Sequence, residues 1–142
     1  MNSGCRQLII DHLPWIREVT NSQHPSPCVF GDLLHCVPDN SFNVEDNFNV
    51  KLYDLDKALL FTHQWCFTHG RMCPLFGRAV ETNLETAGLP CTDQSRAGNQ
   101  LYEQGPTAVV FIAHAKRHIQ KRTPFIIIEN VQELCLELLS FV

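Results

Sequence analysis

The sequence lacks three features that would assign it to a well-marked class of protein. No stretch approaches the roughly 20 apolar residues that a membrane-spanning helix needs. The N-terminus has no basic start followed by a long apolar run, which a signal peptide would show. Basic residues are also few: the formal net charge is −4, whereas a duplex-DNA-binding domain usually carries a basic stripe. We therefore expect an intracellular protein with no membrane partner.

The cysteines also argue against a secreted protein. There are seven of them, an odd number at irregular spacings, which does not suit a disulfide framework. The chain has 142 residues, of which 44% are hydrophobic and 18% charged. These values are typical of one globular domain with its own core.

Residue patterns predict a mixture of helices and short strands. The clearest helix spans 106–120, where Pro106 suits a first turn and an apolar stripe repeats at helical spacing. Thr123 and Pro124 end it, and four consecutive apolar residues follow, as in a parallel strand covered on both faces. The remaining expected elements are a helix over 5–20 interrupted by Pro14, a strand over 28–30, a surface loop over 38–50, a helix over 51–76, and a strand and turn within 79–89.

The order strand, turn, helix, strand predicts an α/β fold with a doubly wound sheet. In such sheets the ligand site lies at the carboxyl ends of the strands. Asp32, Cys91 and Glu129 each follow a predicted strand. We therefore expect these three residues to converge on one cleft.

Cys91 and Glu129 carry the most reactive groups of this set. Cys91 lies in a loop rich in Pro, Ser and Gly, where nearby donors and Arg96 would favour its thiolate. Glu129 follows a very apolar strand, where burial would favour a protonated carboxyl group. The plainer alternatives are a small buried cysteine and a solvated glutamate at the start of a loop.

Three motifs extend this interpretation. GLPCTDQSRAGN (88–99) resembles the catalytic motif of cytosine-5 DNA methyltransferases, with Pro-Cys followed by Ser and Gly at the family's spacing. Glu129-Asn130-Val131 is similar to the family's Glu-Asn-Val motif, and Phe30-Gly31-Asp32-Leu33 to its Gly-Asp turn. The order and separation of the three make the match more specific than any one of them. The resemblance covers about residues 24–135.

The resemblance implies a fold, a cofactor and a role for each motif residue. The fold would be part of a doubly wound, mostly parallel sheet, and residues 1–142 part of a catalytic domain. Cys91 would add to cytosine carbon 6, and Glu129 would contact ring N3. Asn130 and Ser95 would support the catalytic loop. Asp32, Leu33 and Pro90 would contact S-adenosylmethionine. The partner would be DNA, although one branch of the family modifies tRNA, and a eukaryotic location would be the nucleus.

Several family features differ or are missing in this chain. Residues 39–79 read as a peripheral insertion, and Thr92 stands where Gln commonly follows the catalytic cysteine. We find no glycine-rich cofactor loop and no target-recognition region. We therefore expect weak or no binding of S-adenosylmethionine by this chain alone. A degenerate, noncatalytic relative remains an alternative.

Two other classes of site compete with this interpretation. A zinc-binding module would use His63, Cys66, His69 and Cys73, which are suitable ligands by type. One continuous helix cannot easily carry them around a tetrahedral ion, but a turn at Gly70, or ligands from His24, Cys28, His35 and Cys36, would solve this. A cysteine hydrolase would combine Cys91 with His114 or His118 and with Asn130.

Overall fold

The computed structural model describes residues 3–23, 25–76 and 84–134. The described elements comprise three α-helices, four short strands and two 3₁₀ helices. In chain order these are α1 (Ser3–Val19), a first 3₁₀ helix (Leu33–Cys36), α2 (Phe48–Lys57), β1 (His63–Cys66), β2 (Arg71–Pro74), β3 (Leu84–Gly88), a second 3₁₀ helix (Tyr102–Gln104), α3 (Ala108–Lys121) and β4 (Phe125–Glu129).

The unit β3–α3–β4 forms the parallel part of the fold. β3 and β4 pair in parallel, with Leu84 opposite Phe125 and Gly88 opposite Glu129. α3 connects them and ends at Lys121, and the next residue, Arg122, adopts a left-handed conformation (φ 58°). The predicted helix over 106–120 and strand over 125–128 are confirmed, because their periodicity and the Thr123-Pro124 break set these elements locally.

The two faces of this strand pair differ. Glu85 of β3 forms ion pairs with Arg117 and Lys121 of α3, so the face that carries Glu85 lies against the helix. Side chains alternate along a strand, and the opposite face carries Phe125 and Ile127, which are 69% and 55% exposed. The prediction that β4 is covered on both faces is therefore wrong for the described residues.

The hydrophobic core forms where α3 packs against α2. Phe111, Ile112 and Ala113 of α3 pack in one cluster with Phe48 and Leu55 of α2. Leu60 and Leu75, which flank the β1–β2 hairpin, belong to the same cluster. Residues 39–79, expected to be peripheral, therefore supply part of the core, because α2 buries Phe48 and Leu55. That the segment is an insertion remains a prediction.

The segment predicted as one helix over 51–76 divides into two elements. α2 ends at Lys57, and Ala58 is extended (ψ 137°). β1 and β2 then form an antiparallel hairpin, with Cys66 opposite Arg71. Gly70 has a φ of +60° in the turn, a conformation that glycine adopts without a Cβ penalty. The turn at Gly70 lets residues 63–74 form a hairpin instead of the predicted continuous helix.

Residues 28–30 are not a strand, contrary to the prediction. Val29 is buried as a strand residue would be. Its carbonyl, however, accepts a hydrogen bond from Phe67 N at 2.8 Å, and residues 28–30 belong to neither of the described sheets. The apolar run therefore reflects packing against the hairpin instead of pairing within a sheet.

α1 follows the expected helix over 5–20, with Pro14 inside it. Arg6 of α1 lies 3.7 Å over the Phe67 ring, which links this helix to the hairpin turn. Across the described ranges, no helix is both long and apolar enough to cross a membrane.

Candidate functional site

The Pro-Cys loop begins where β3 ends, beside the end of β4. The parallel register sets Gly88 opposite Glu129. One residue further along each strand, Asn130 Nδ2 donates a hydrogen bond to the carbonyl of Leu89, at 3.1 Å. The start of the loop is thus tied to the residue that follows Glu129. Cys91, two residues beyond Leu89, is exposed.

The loop turns sharply at Cys91. The Cys91 carbonyl accepts hydrogen bonds from Gln94 N at 2.9 Å and from Ser95 N at 2.8 Å. Asn99 N donates to the carbonyl of Thr92 at 2.8 Å. A Cβ added to Gly98 would lie 1.8 Å from that Thr92 oxygen. Only glycine fits there, so Gly98 is needed for the loop to close on itself.

Asp93 anchors the loop to the start of α3. Its side chain is fully buried and accepts hydrogen bonds from Thr107 N (2.8 Å), Thr107 Oγ1 (2.6 Å) and Asn99 Nδ2 (3.3 Å). Burial raises the pKa of Asp93, but these hydrogen bonds outweigh it and hold the pKa below its usual value. An ionised Asp93 thus fixes the loop that carries Cys91. Nothing in the three motifs predicts this role for Asp93.

Glu129 lies at the open end of the strand pair. A Cβ added to Gly88 would come within 3.4 Å of Glu129 Oε2, so the carboxyl group lies close to the β3 backbone. Its side chain is exposed. The expectation that this carboxyl group is buried is therefore wrong, because Glu129 lies on the exposed face of β4.

Asp32 occupies a different kind of position from the one predicted. It caps the first 3₁₀ helix, with Oδ1 accepting from Leu34 N at 3.0 Å. Its carbonyl accepts a hydrogen bond from Gln64 Nε2 of β1 at 2.8 Å. The 3₁₀ helix packs against α3 and β1. Asp32 is exposed, but it ends a segment without strand pairing, so the predicted strand that would carry it is absent.

The other residues predicted to assist the site have modest contacts. Leu33 is partly buried against the core, and Pro90 is half-buried beside Cys91. Ser95 holds the loop through its backbone, as described above. Arg96, expected to favour the Cys91 thiolate, pairs with Glu133 at 2.9 Å, so its charge has an anionic partner elsewhere.

Three basic residues of α3 form ion pairs within the chain: Lys116, Arg117 and Lys121. Arg117 lies 2.9 Å from Glu85, and Lys121 pairs with the same carboxylate. Lys116 donates to the carbonyl of Asp56 and lies 3.6 Å from its carboxylate. These cations therefore join α3 to β3 and to the end of α2.

The hydrolase alternative fails on geometry. His118 Nδ1 contacts Thr123 Oγ1 at 3.0 Å, and its Nε2 lies 2.9 Å from His114 Nε2. His118 also lies 3.7 Å from Glu85 near the start of β3, whereas Cys91 follows the end of β3. Burial, with the positive charge of Arg117, lowers the pKa of His118 to about 4. Burial and the charge of His118 lower the pKa of His114 to about 4 as well. Within the described residues neither imidazole serves Cys91 as a base.

A second group of reactive side chains gathers at the hairpin. Cys66 ends β1, Cys73 lies in β2, and His69 precedes the Gly70 turn. Cys28 joins them from the irregular segment that packs on the hairpin. One ligand atom from each of the four residues lies within 4.8 Å of the other three. Cys66 and Cys73 are buried, while Cys28 and His69 are exposed.

These four residues overlap with the predicted ligand sets without matching either one. His63 is exposed and contacts Thr62 Oγ1 at 3.0 Å, outside the group. Cys28 takes its place. His35 is not a member, Cys36 is buried in the core cluster, and His24 lies outside the described residues. The glycine that follows His69 is the signal in the sequence for the turn that brings Cys73 back beside Cys66 and His69.

Burial raises the pKa of the Cys66 thiol. The backbone N–H groups of His69 and Val29, which donate to its sulfur, outweigh this effect and lower the pKa to about 6. Backbone donors aimed at a sulfur favour the thiolate, the form in which cysteine binds metals.

Comparison of the chain with protein-family models, with curated proteins and with solved structures gave no match.

Proposed function

We propose that this chain forms part of the catalytic core of a cytosine-5 DNA methyltransferase and that Cys91 is its nucleophile. The observation that carries the proposal is the parallel pairing of β3 and β4. That pairing brings the Pro-Cys loop and Glu129 to the same end of two neighbouring strands, with Asn130 bonded to Leu89 between them. In α/β sheets this end is where ligands bind.

The chemistry needs the residue types found there. Carbon 5 of cytosine is a poor nucleophile until a thiolate adds to carbon 6 and makes the ring enamine-like. Cys91 is exposed on a loop held by the buried Asp93, so its sulfur can reach a base that has left the helix stack. Glu129, on the open face of β4, would contact ring N3 and offset the charge that develops on the ring.

S-adenosylmethionine would supply the methyl group. Asp32 fits a contact with its adenine amine, because the residue is exposed and its carboxylate is oriented by the capping hydrogen bond from Leu34 N. Leu33 and Pro90 would line the same site. Asp32 and Leu33 lie in a segment that packs on α3 and on β1, so the elements around the proposed cofactor site also contact the helix that follows the Pro-Cys loop.

The exposed apolar face of the β3–β4 pair fits a strand pair that belongs to a larger domain. Leu84, Phe125 and Ile127 share this face and are all at least 49% exposed. In a doubly wound fold the corresponding face is covered by helices. A strand pair that belongs to a larger catalytic domain would show this pattern.

The test is trapping of the covalent adduct. The product of the complete transcript that encodes this chain is incubated with duplex DNA containing 5-fluorocytosine, with and without S-adenosylmethionine. Fluorine replaces the hydrogen that must leave carbon 5, so the enzyme–DNA adduct persists. We expect a denaturation-resistant adduct only with the cofactor, and a modified peptide that contains Cys91. An absent adduct, or one at another cysteine, contradicts the proposal.

A further inference from the structure

The cysteine–histidine cluster at the hairpin has a geometry that hydrogen bonding does not explain. His69 Nδ1 lies 3.3 Å from Cys66 Sγ, 3.5 Å from Cys28 Sγ and 3.6 Å from Cys73 Sγ. An imidazole nitrogen has either one proton or one lone pair in the ring plane. It can therefore satisfy one thiol, not three. Three sulfurs converging on one nitrogen instead suggest a shared central ligand.

The distances agree with a tetrahedral metal ion. Zinc binds sulfur at about 2.3 Å and nitrogen at about 2.0–2.1 Å, so tetrahedral geometry separates a sulfur and a nitrogen ligand by about 3.6 Å. The three observed separations are 3.3–3.6 Å. Tetrahedral geometry separates two sulfur ligands by about 3.8 Å, and all the ligand atoms here lie within 4.8 Å of one another. The largest separation that this bound allows exceeds the tetrahedral value by about 1 Å.

We propose that Cys28, Cys66, His69 and Cys73 bind one structural zinc ion. Three thiolates and one imidazole are a ligand set that zinc favours. Four protein ligands leave no open position, so the ion has a structural role and no part in catalysis. This site is independent of Cys91, which lies beyond β3, and of the methyltransferase proposal.

The site explains how an irregular segment is held. Cys28 lies in a stretch without strand pairing, and next to it Val29 accepts a single hydrogen bond from Phe67 N. Zinc would bind this segment to the β1–β2 hairpin through three further ligands. The turn at Gly70 contributes by reversing the chain between His69 and Cys73, and Gly70 N donates to the Cys66 carbonyl at 2.9 Å.

The first experiment needs no variant. The 142-residue chain is purified without chelators from cells supplied with zinc, and its metal content is measured by mass spectrometry. We expect about one zinc ion per chain, and X-ray absorption at the zinc edge should show three sulfur neighbours and one nitrogen neighbour. Cobalt substitution should give thiolate-to-metal charge-transfer bands. Metal-free protein without such bands overturns the proposal, as does stoichiometric iron or copper in place of zinc.

Variants then assign the ligands. Cys73→Ser and Cys28→Ser should lose most of the zinc, whereas His69→Cys should keep it, because four thiolates also bind zinc. His63→Ala in the same hairpin and Cys5→Ser in α1 are matched controls, since both residues are exposed and lie outside the cluster. Zinc retained by Cys28→Ser would contradict the ligand set. A disulfide between two of the cluster cysteines in freshly reduced, zinc-supplied protein would overturn it.

Discussion

Cys91 and Asp93 stand two residues apart in the same loop and have opposite environments. Asp93 is fully buried and its side chain accepts three hydrogen bonds, whereas Cys91 is exposed and its carbonyl accepts hydrogen bonds from Gln94 N and Ser95 N. The buried residue fixes the loop, and the exposed one presents its sulfur. Substitutions at the two positions should therefore separate stability from chemistry.

At Cys91 we expect Cys91→Ser to abolish adduct formation and methyl transfer without lowering the melting temperature. A serine hydroxyl fits an exposed position, but its pKa is too high for addition to carbon 6 at neutral pH. Adduct trapping and thermal unfolding on the same preparation measure both effects. Cys5→Ser, also at an exposed cysteine, is the control and should keep both properties. Adduct formation by Cys91→Ser would refute its role.

At Glu129 we expect a reduced rate rather than complete loss. Glu129→Gln keeps a hydrogen-bonding group near ring N3 but cannot supply a proton. Single-turnover methyl transfer measures the effect, with the adduct still detectable. A rate equal to that of the unsubstituted protein would remove Glu129 from the mechanism.

At the scale of elements, the connection from β3 to α3 depends on close backbone approach. A Cβ at Gly105 would lie 2.2 Å from Asp93 Cγ, directly at the carboxylate that Thr107 caps. The second 3₁₀ helix ends at this glycine. The loop and the start of α3 are therefore packed as one piece.

For this reason Gly105→Ala should destabilise the chain by about 1–3 kcal/mol, the usual cost of overpacking a buried site. Denaturant unfolding measures it. Gly88→Ala is the matched control, because a Cβ there meets only Glu129 Oε2 at 3.4 Å, an ordinary contact. If both variants unfold at the same denaturant concentration, the loop does not depend on this packing.

The sequence predicted the elements whose signals are local. The apolar stripe of α3, the break at Thr123-Pro124 and the run of β4 all lie within a few residues of the features they determine. The sequence does not predict the hairpin, because Leu52, Leu55, Leu59 and Leu60 favour one continuous helix. Gly70 is the signal for the turn. Cys28 was difficult to assign, because its partners lie far along the chain and spacing alone does not reveal which distant segments pack together.

At the scale of the whole molecule, the buried imidazole pair links stability to pH. An unfolded histidine titrates near about 6.5, but the folded pKa values of His114 and His118 are about 4. Between these values the unfolded chain binds more protons than the folded one. The free energy of unfolding therefore has its full value above about pH 7 and decreases as the pH drops from about 6.5 towards 4.

With two such groups, the free energy of unfolding should decrease by up to about 3 kcal/mol for each pH unit lost within this window. Denaturant unfolding at a series of pH values measures it. Replacing both residues, in His114→Gln/His118→Gln, should flatten the curve between pH 6.5 and 4, whereas His12→Gln on exposed α1 should leave it unchanged. An equal slope in the double variant and the unsubstituted protein would contradict this account.

The ion pairs of α3 have a consequence for any polyanion that this chain meets. A protein binds DNA more tightly in low salt because its cations displace counterions condensed on the phosphates. The slope of the binding constant against salt concentration, on logarithmic scales, is proportional to the number of phosphates that those cations neutralise. Arg117 and Lys121 are already committed to Glu85, and Lys116 to Asp56. Moving them onto phosphates would leave Glu85, which lies beside α3, without its partners. These three cations therefore add little to counterion release, and most of the salt dependence of DNA binding would come from charges outside this helix.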